Sequence, residues 1–146
     1  MTKVFVYGTL LSGQRNYEHF LNPLQPIESN AVLPGFAMYC LGGFPAIKPL
    51  EGSEIKGEVF EVDDETLARL DGLEGVTRKH PDNGFYNRVV ATTASGVEVN
   101  VYTFRRADES PLIPSGDWRE FERLRRIGWE KEAEKEEETE EVLEKE

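Results

Sequence analysis

Val4, Phe5 and Val6 form an apolar run that stops abruptly at Tyr7-Gly8-Thr9-Leu10, the pattern of a buried strand ending in a turn. Gly8 is expected to take a backbone geometry that a side chain forbids. Gln14 to Leu21 then reads as a helix, so the chain opens as strand, short loop, helix, a place where backbone amides can meet an anion or a polarised oxygen. A purely structural turn explains the same residues equally well. After a connector at Asn22-Pro23-Leu24-Gln25-Pro26, a strand is predicted over Ala31 to Leu41. Gly42 to Ile47 reads as a turn with a short extended piece, and Ile55 to Val62 alternates as a further strand. Asp63 or Asp64 can cap a helix running through Asp71, with Glu65 in its first turn. Phe85 to Thr93 and Val97 to Arg105 read as two strands joined by Ala94-Ser95-Gly96. Asp117 starts a last helix, with Glu120 placed for a capping box and Trp118, Phe121, Leu124 and Ile127 as its packing stripe.

Strands from distant parts of the chain, with two or three helices outside them, predict an α+β fold built on a mixed sheet or small barrel. The 146 residues are enough for one self-sufficient core. The charge divides the chain: Glu130 to Glu146 hold ten Glu against three Lys, −7 of the total −11, which leaves −4 for the body. We therefore predict a domain over 1–129 and an acidic tail over 130–146. The tail either continues the preceding helix or is disordered, and it serves as a solvated extension or as an arm for a partner. The net charge would argue against nucleic acid and anionic membranes if it were spread evenly, which it is not; the body value is ordinary for a soluble domain, and no nucleic-acid or membrane partner is expected. Cys40 is the one cysteine, so no disulfide framework or thiolate cluster is expected. With no leader-like start and no long apolar run, a cytoplasmic monomer is expected.

Chemistry narrows to one carboxylate. Leu67 and Leu70 mark the inner face of the helix after Asp63, and Glu74 falls four residues beyond Leu70, at the helix end before Gly75. On the buried side, desolvation and the negative helix end raise its proton affinity, as an acid/base requires. If the register breaks at Gly72, Glu74 instead faces water. Asp71 is the rival, read as a cap or salt-bridge partner. His19 and His80 lack spaced metal partners, Cys40 has no nearby basic activator and reads as a buried inert thiol, and no serine elbow, Walker loop or dinucleotide fingerprint is present.

The order of four motifs resembles the γ-glutamylcyclotransferase-like family, which includes γ-glutamylamine cyclotransferases and AIG2-like proteins. They are Val4 to Leu10, Gly57-Glu58-Val59-Phe60, Leu70-Asp71-Gly72-Leu73-Glu74-Gly75-Val76 and Tyr86-Asn87-Arg88-Val89; Ile113 to Trp118 is similar to the close of small bacterial members. The resemblance implies a small mixed β-barrel flanked by helices, with no metal or organic cofactor. It implies that Tyr7, Gly8, Thr9 and Leu10 bind the γ-glutamyl group and that Glu74 is the catalytic acid/base, with Tyr86 as a site wall and Arg88 as support or as an ion-pair partner. The implied reaction closes a small γ-glutamyl substrate to 5-oxoproline and releases an amine. The segment Thr77 to Gly84, with Arg78 and Lys79, is longer than the family pattern and reads as a lid or a surface loop. A non-catalytic binding module on the same scaffold is the alternative, and an interaction protein working through the tail is a third. The attached amine is left open among glutathione, γ-glutamyl amino acids and γ-glutamyl-lysine.

Overall fold

The computed structural model describes residues 1–74 and 87–128. Six strands form one mixed sheet: β1 (Thr2–Val6), β2 (Glu28–Cys40), β3 (Pro45–Val62), β4 (Asn87–Thr92), β5 (Glu98–Thr103) and β6 (Leu112–Ile113), in the order β4-β5-β1-β3-β2-β6. β1 is central, antiparallel to β3 and parallel to β5. Its Val4-Phe5-Val6 run is buried throughout, as expected of a strand covered on both faces.

β2 and β3 make one long hairpin, and the sequence expectation of a break between Ile47 and Ile55 is corrected. β3 runs on through Pro49 and Gly52 because the pairing absorbs an offset there: Pro34 faces Glu54, yet Phe36 already faces Pro49. Gly35 (φ +86°) and Gly52 (φ +87°) supply the left-handed backbone that this bulge requires. The two ends of the sheet curl toward each other. The Ala94 N–H at the β4–β5 turn donates to the Val32 carbonyl at 2.8 Å, and the Phe104 N–H donates to Ile47 at 3.0 Å. The result is a half-barrel packed around Phe5, Leu33, Met38, Ile47, Ile55, Phe60 and Val101.

Among the described residues, three α-helices flank it. α1 (Arg15–Phe20) and α2 (Asp64–Glu74) meet where Arg69 lays its guanidinium over the Phe20 ring and donates to the His19 carbonyl at 2.7 Å. Asp63 caps α2 by accepting the Thr66 N–H at 2.8 Å, and the helix continues past Asp71 to Glu74. A 3-10 turn (Ala107–Glu109) precedes β6. α3 begins at 118 and continues through 128, with Asp117 accepting the Glu120 N–H. Trp118 is fully buried, but Leu124 is exposed, contrary to the predicted stripe. Steps of three residues fall roughly 60° short of a turn each, so the stripe drifts off the core by its third member. Arg125 takes that place, with its guanidinium over the Trp118 and Phe121 rings.

Candidate active site

The turn after β1 is held from three sides. Leu11 N–H donates to Gly8 O (3.0 Å), Asn16 N–H to Thr9 O (2.9 Å), and the Asn16 side-chain amide to Thr9 Oγ1 (2.8 Å). Behind the turn, Glu58, only 3 % exposed, accepts both the Ser12 N–H and the Ser12 hydroxyl at 2.6 Å. Arg119 at the start of α3 closes this anchor by donating to Glu58 Oε1 (3.3 Å) and to the Ser12 carbonyl. Gly8 does not take a left-handed conformation, so the sequence expectation about its backbone is corrected. The reason for glycine is proximity, since a Cβ there would lie 2.6 Å from Pro45 Cγ and 2.7 Å from Pro45 Cδ. Gly57 answers to the same logic more severely: its Cβ would meet the Val6 carbonyl at 2.1 Å.

The turn forms one wall of a cavity of about 220 Å³. Its lining comprises Phe5 and Val6 of β1, Tyr7 to Leu10 along the turn, Phe44 on the β2–β3 connection, Pro45 at the start of β3, and Leu73 and Glu74 at the end of α2. The helical register runs through Gly72 without a break, which turns Glu74 into the cavity. Burial raises its proton affinity, to a pKa of about 7. Among the described residues, no acceptor receives the amide N–H of Gly8, Thr9 or Leu10.

A polar network supports the wall next to Glu74. Asp71 accepts Arg88 Nε and Nη2 (2.9 and 3.2 Å) and the Tyr102 hydroxyl (2.8 Å); Arg88 also donates to Asn100 Oδ1 (3.2 Å). Burial first, and then the bond to Asp71, push the Tyr102 phenol upward, so it remains a donor. The Tyr7 hydroxyl donates to the Tyr102 carbonyl at 2.6 Å, tying β1 to β5 beneath the cavity. Asp71 is thus the salt-bridge partner expected of it, and Arg88 is engaged with it.

Tyr7, Gly8, Thr9, Leu10 and Glu74, 64 or more positions apart in sequence between Leu10 and Glu74, line the same cavity. Tyr86, Thr77 to Gly84 and the tail over 130–146 lie outside the described residues. Sequence reasoning gave no role to Arg15, Asn16, Phe44, Pro45, Leu73 or Tyr102, which also line the cavity, nor to Glu58. A charged residue flanked by Gly57 and Val59 in an alternating strand was the available signal for Glu58. Cys40 is half-buried, and Arg125 Nη1 lies 3.7 Å from its sulfur, so the expectation of a thiol without a basic neighbour is corrected. That neighbour comes from α3, 85 residues away.

A half-barrel with three helices among the described residues, and a cavity lined both by a carboxyl of raised proton affinity and by the Tyr7 to Leu10 turn, defines a compact α+β scaffold. The sequence profile described as "Gamma-glutamyl cyclotransferase, AIG2-like" matches residues 4–120, and the chain belongs to that family. It is 35 % identical to the γ-glutamylcyclotransferase family protein YtfP of Escherichia coli, over 80 % of this chain and 95 % of that protein. It is 27 % identical to a γ-L-glutamyl-butirosin B γ-glutamyl cyclotransferase of Niallia circulans, over 83 % of this chain and 78 % of that one. An uncharacterised protein of Pyrococcus horikoshii shares the fold with a TM-score of 0.68 at 24 % identity, over 88 % of this chain and 98 % of that one. Among the described residues no helix is long and apolar enough to cross a membrane.

Proposed function

We propose that this protein is a γ-glutamyl cyclotransferase that converts a γ-glutamyl amine or small γ-glutamyl derivative to 5-oxoproline and a free amine. The observation that carries this reading is the Glu74 carboxyl, with a pKa of about 7, in the cavity walled by the Tyr7 to Leu10 turn. Family membership and the γ-glutamyl substrate in the name of the Niallia relative support it.

The reaction is an intramolecular aminolysis. The α-amine nitrogen of the glutamyl group attacks its own γ-carbonyl carbon, forming the ring C–N bond and an oxyanion. Ionised Glu74 takes a proton from the attacking nitrogen and returns it to the departing nitrogen as the original C–N bond breaks. The amides of Gly8 to Leu10 face the oxyanion. Nucleophile and electrophile belong to one molecule, so the protein holds a folded conformer and moves one proton. Atoms balance without water or a second substrate. Asp71, Arg88, Tyr102 and Tyr7 position the walls and take no proton in this scheme.

The test is 5-oxoproline release from a panel of γ-glutamyl amines, γ-glutamyl amino acids and glutathione, with Glu74→Gln as control. Product from the wild type and not from the variant supports the reading. Ligand binding without product would leave a non-catalytic binding module.

A further inference from the structure

Arg15, the first residue of α1, is the one cation among the described residues that line the cavity, and it is exposed at its rim. Its Nη2 donates to the Gly43 carbonyl at 3.3 Å. A Cβ at Gly43 would lie 3.8 Å from Nη2 and 4.0 Å from Nη1, so the guanidinium lies against the β2–β3 connection, and Phe44 lines the same cavity. The described ion pairs occupy Arg88, Arg106 and Arg119 with carboxylates, whereas Arg15 has no described carboxylate within 4.0 Å. Most of its planar fork of donors is therefore available to a ligand.

The position of that fork limits what it can meet. Arg15 opens α1 and Glu74 closes α2, so the two groups stand on different elements of the cavity lining. In the cyclotransferase reading the glutamyl group occupies the wall of Gly8 to Leu10 facing Glu74. What remains for the rim of Arg15 and Phe44 is the group carried by the departing nitrogen. An arginine fork beside an apolar ring fits a carboxylate attached to a small carbon frame.

Resting on that reading, we propose that Arg15 is a specificity-determining residue that holds the carboxylate of the departing amino acid, so that the preferred substrates are γ-glutamyl α-amino acids rather than uncharged γ-glutamyl amines.

The test compares γ-glutamylglycine with γ-glutamylglycinamide, two ligands of nearly equal shape that differ in the terminal charge. Their dissociation constants are measured by calorimetry on Glu74→Gln protein, with Arg15 intact and with Arg15→Gln, and 5-oxoproline release is measured on the wild type. With Arg15 present we expect the acid to bind about tenfold more tightly than the amide, with the ratio collapsing to about one in Arg15→Gln and partly restored in Arg15→Lys. A ratio near one with Arg15 intact overturns the assignment, as does an equal loss of both ligands in the variant, which would put Arg15 on the glutamyl carboxylate they share. In both cases wild-type 5-oxoproline release would leave the cyclotransferase reading standing. Absence of both binding and product would overturn the two together.

Discussion

Glu58, buried within β3, takes two hydrogen bonds of 2.6 Å from Ser12, one from its backbone N–H and one from its hydroxyl. The turn that walls the cavity is thereby fastened to β3 by a charge rather than by apolar packing. Removing the acceptor in Glu58→Ala leaves the Ser12 donors and the Arg119 guanidinium without it. We expect a loss of about 2–4 kcal/mol in stability by chemical denaturation. Ser12→Ala removes one bond and spares the carboxylate, so about 1 kcal/mol is expected there.

Glu74 imposes a pH dependence on stability. Its folded pKa, about 7, stands above the unfolded value of 4.5, so between those values the folded state holds the proton that the unfolded state has lost. Stability from this group therefore falls as pH rises from 4.5 to 7 and stays low above. Glu74→Gln should raise Tm relative to wild type at pH 8, reflecting a stability gain on the order of 2–3 kcal/mol, and change it little at pH 4. Equal Tm differences at both pH values would contradict a carboxyl buried in this way.

The same titration governs turnover. The base must be ionised to accept the proton of the attacking amine nitrogen, so kcat/KM for 5-oxoproline release should climb with pH through about 7. In Glu74→Gln it should fall by roughly 10²–10⁴-fold and lose that inflection.

Two glycines should respond to alanine differently. Gly57→Ala drives a methyl into the Val6 backbone carbonyl, which cannot swing aside as a side chain can, and should abolish or severely weaken folding, by about 3 kcal/mol or more. Gly8→Ala meets the Pro45 ring instead. The turn and the β2–β3 connection must separate to admit it, so KM should rise while the circular dichroism spectrum is kept.

Arg88→Ala should cost about 1–3 kcal/mol, because Asp71 is largely buried and keeps the Tyr102 hydroxyl as its remaining described partner. Tyr102→Phe removes that bond alone and should cost about 1 kcal/mol, read by thermal melts of the two variants side by side.

Much of this molecule was legible before any fold was known, and the successes share a cause. The β1 run, the Asp63 cap, the α2 stripe ending at Glu74 and the Gly96 turn each depend on neighbours within a few positions, where hydrophobic period and capping chemistry operate. The misreadings share a cause too. β3 looked broken at Pro49 and Gly52 because its continuity resides in the pairing with β2, and Leu124 looked buried because a three-residue spacing only approximates the helical repeat. Gly8 was assigned to backbone freedom, when its reason is the ring of Pro45, which only the hairpin brings against it.

The sequence by itself determined most of the local elements, the α+β class and the two segments that line one cavity, since local period and turn chemistry are written residue by residue. Tertiary structure alone decided which partners those segments meet: Ser12 with Glu58 across 46 positions, Arg15 with Gly43 across 28, and Cys40 with Arg125 across 85. The physical reason is range. A hydrogen bond or an ion pair acts over about 3–4 Å, and a strand order of β4-β5-β1-β3-β2-β6, set by burying apolar faces together, decides which distant residues come that close.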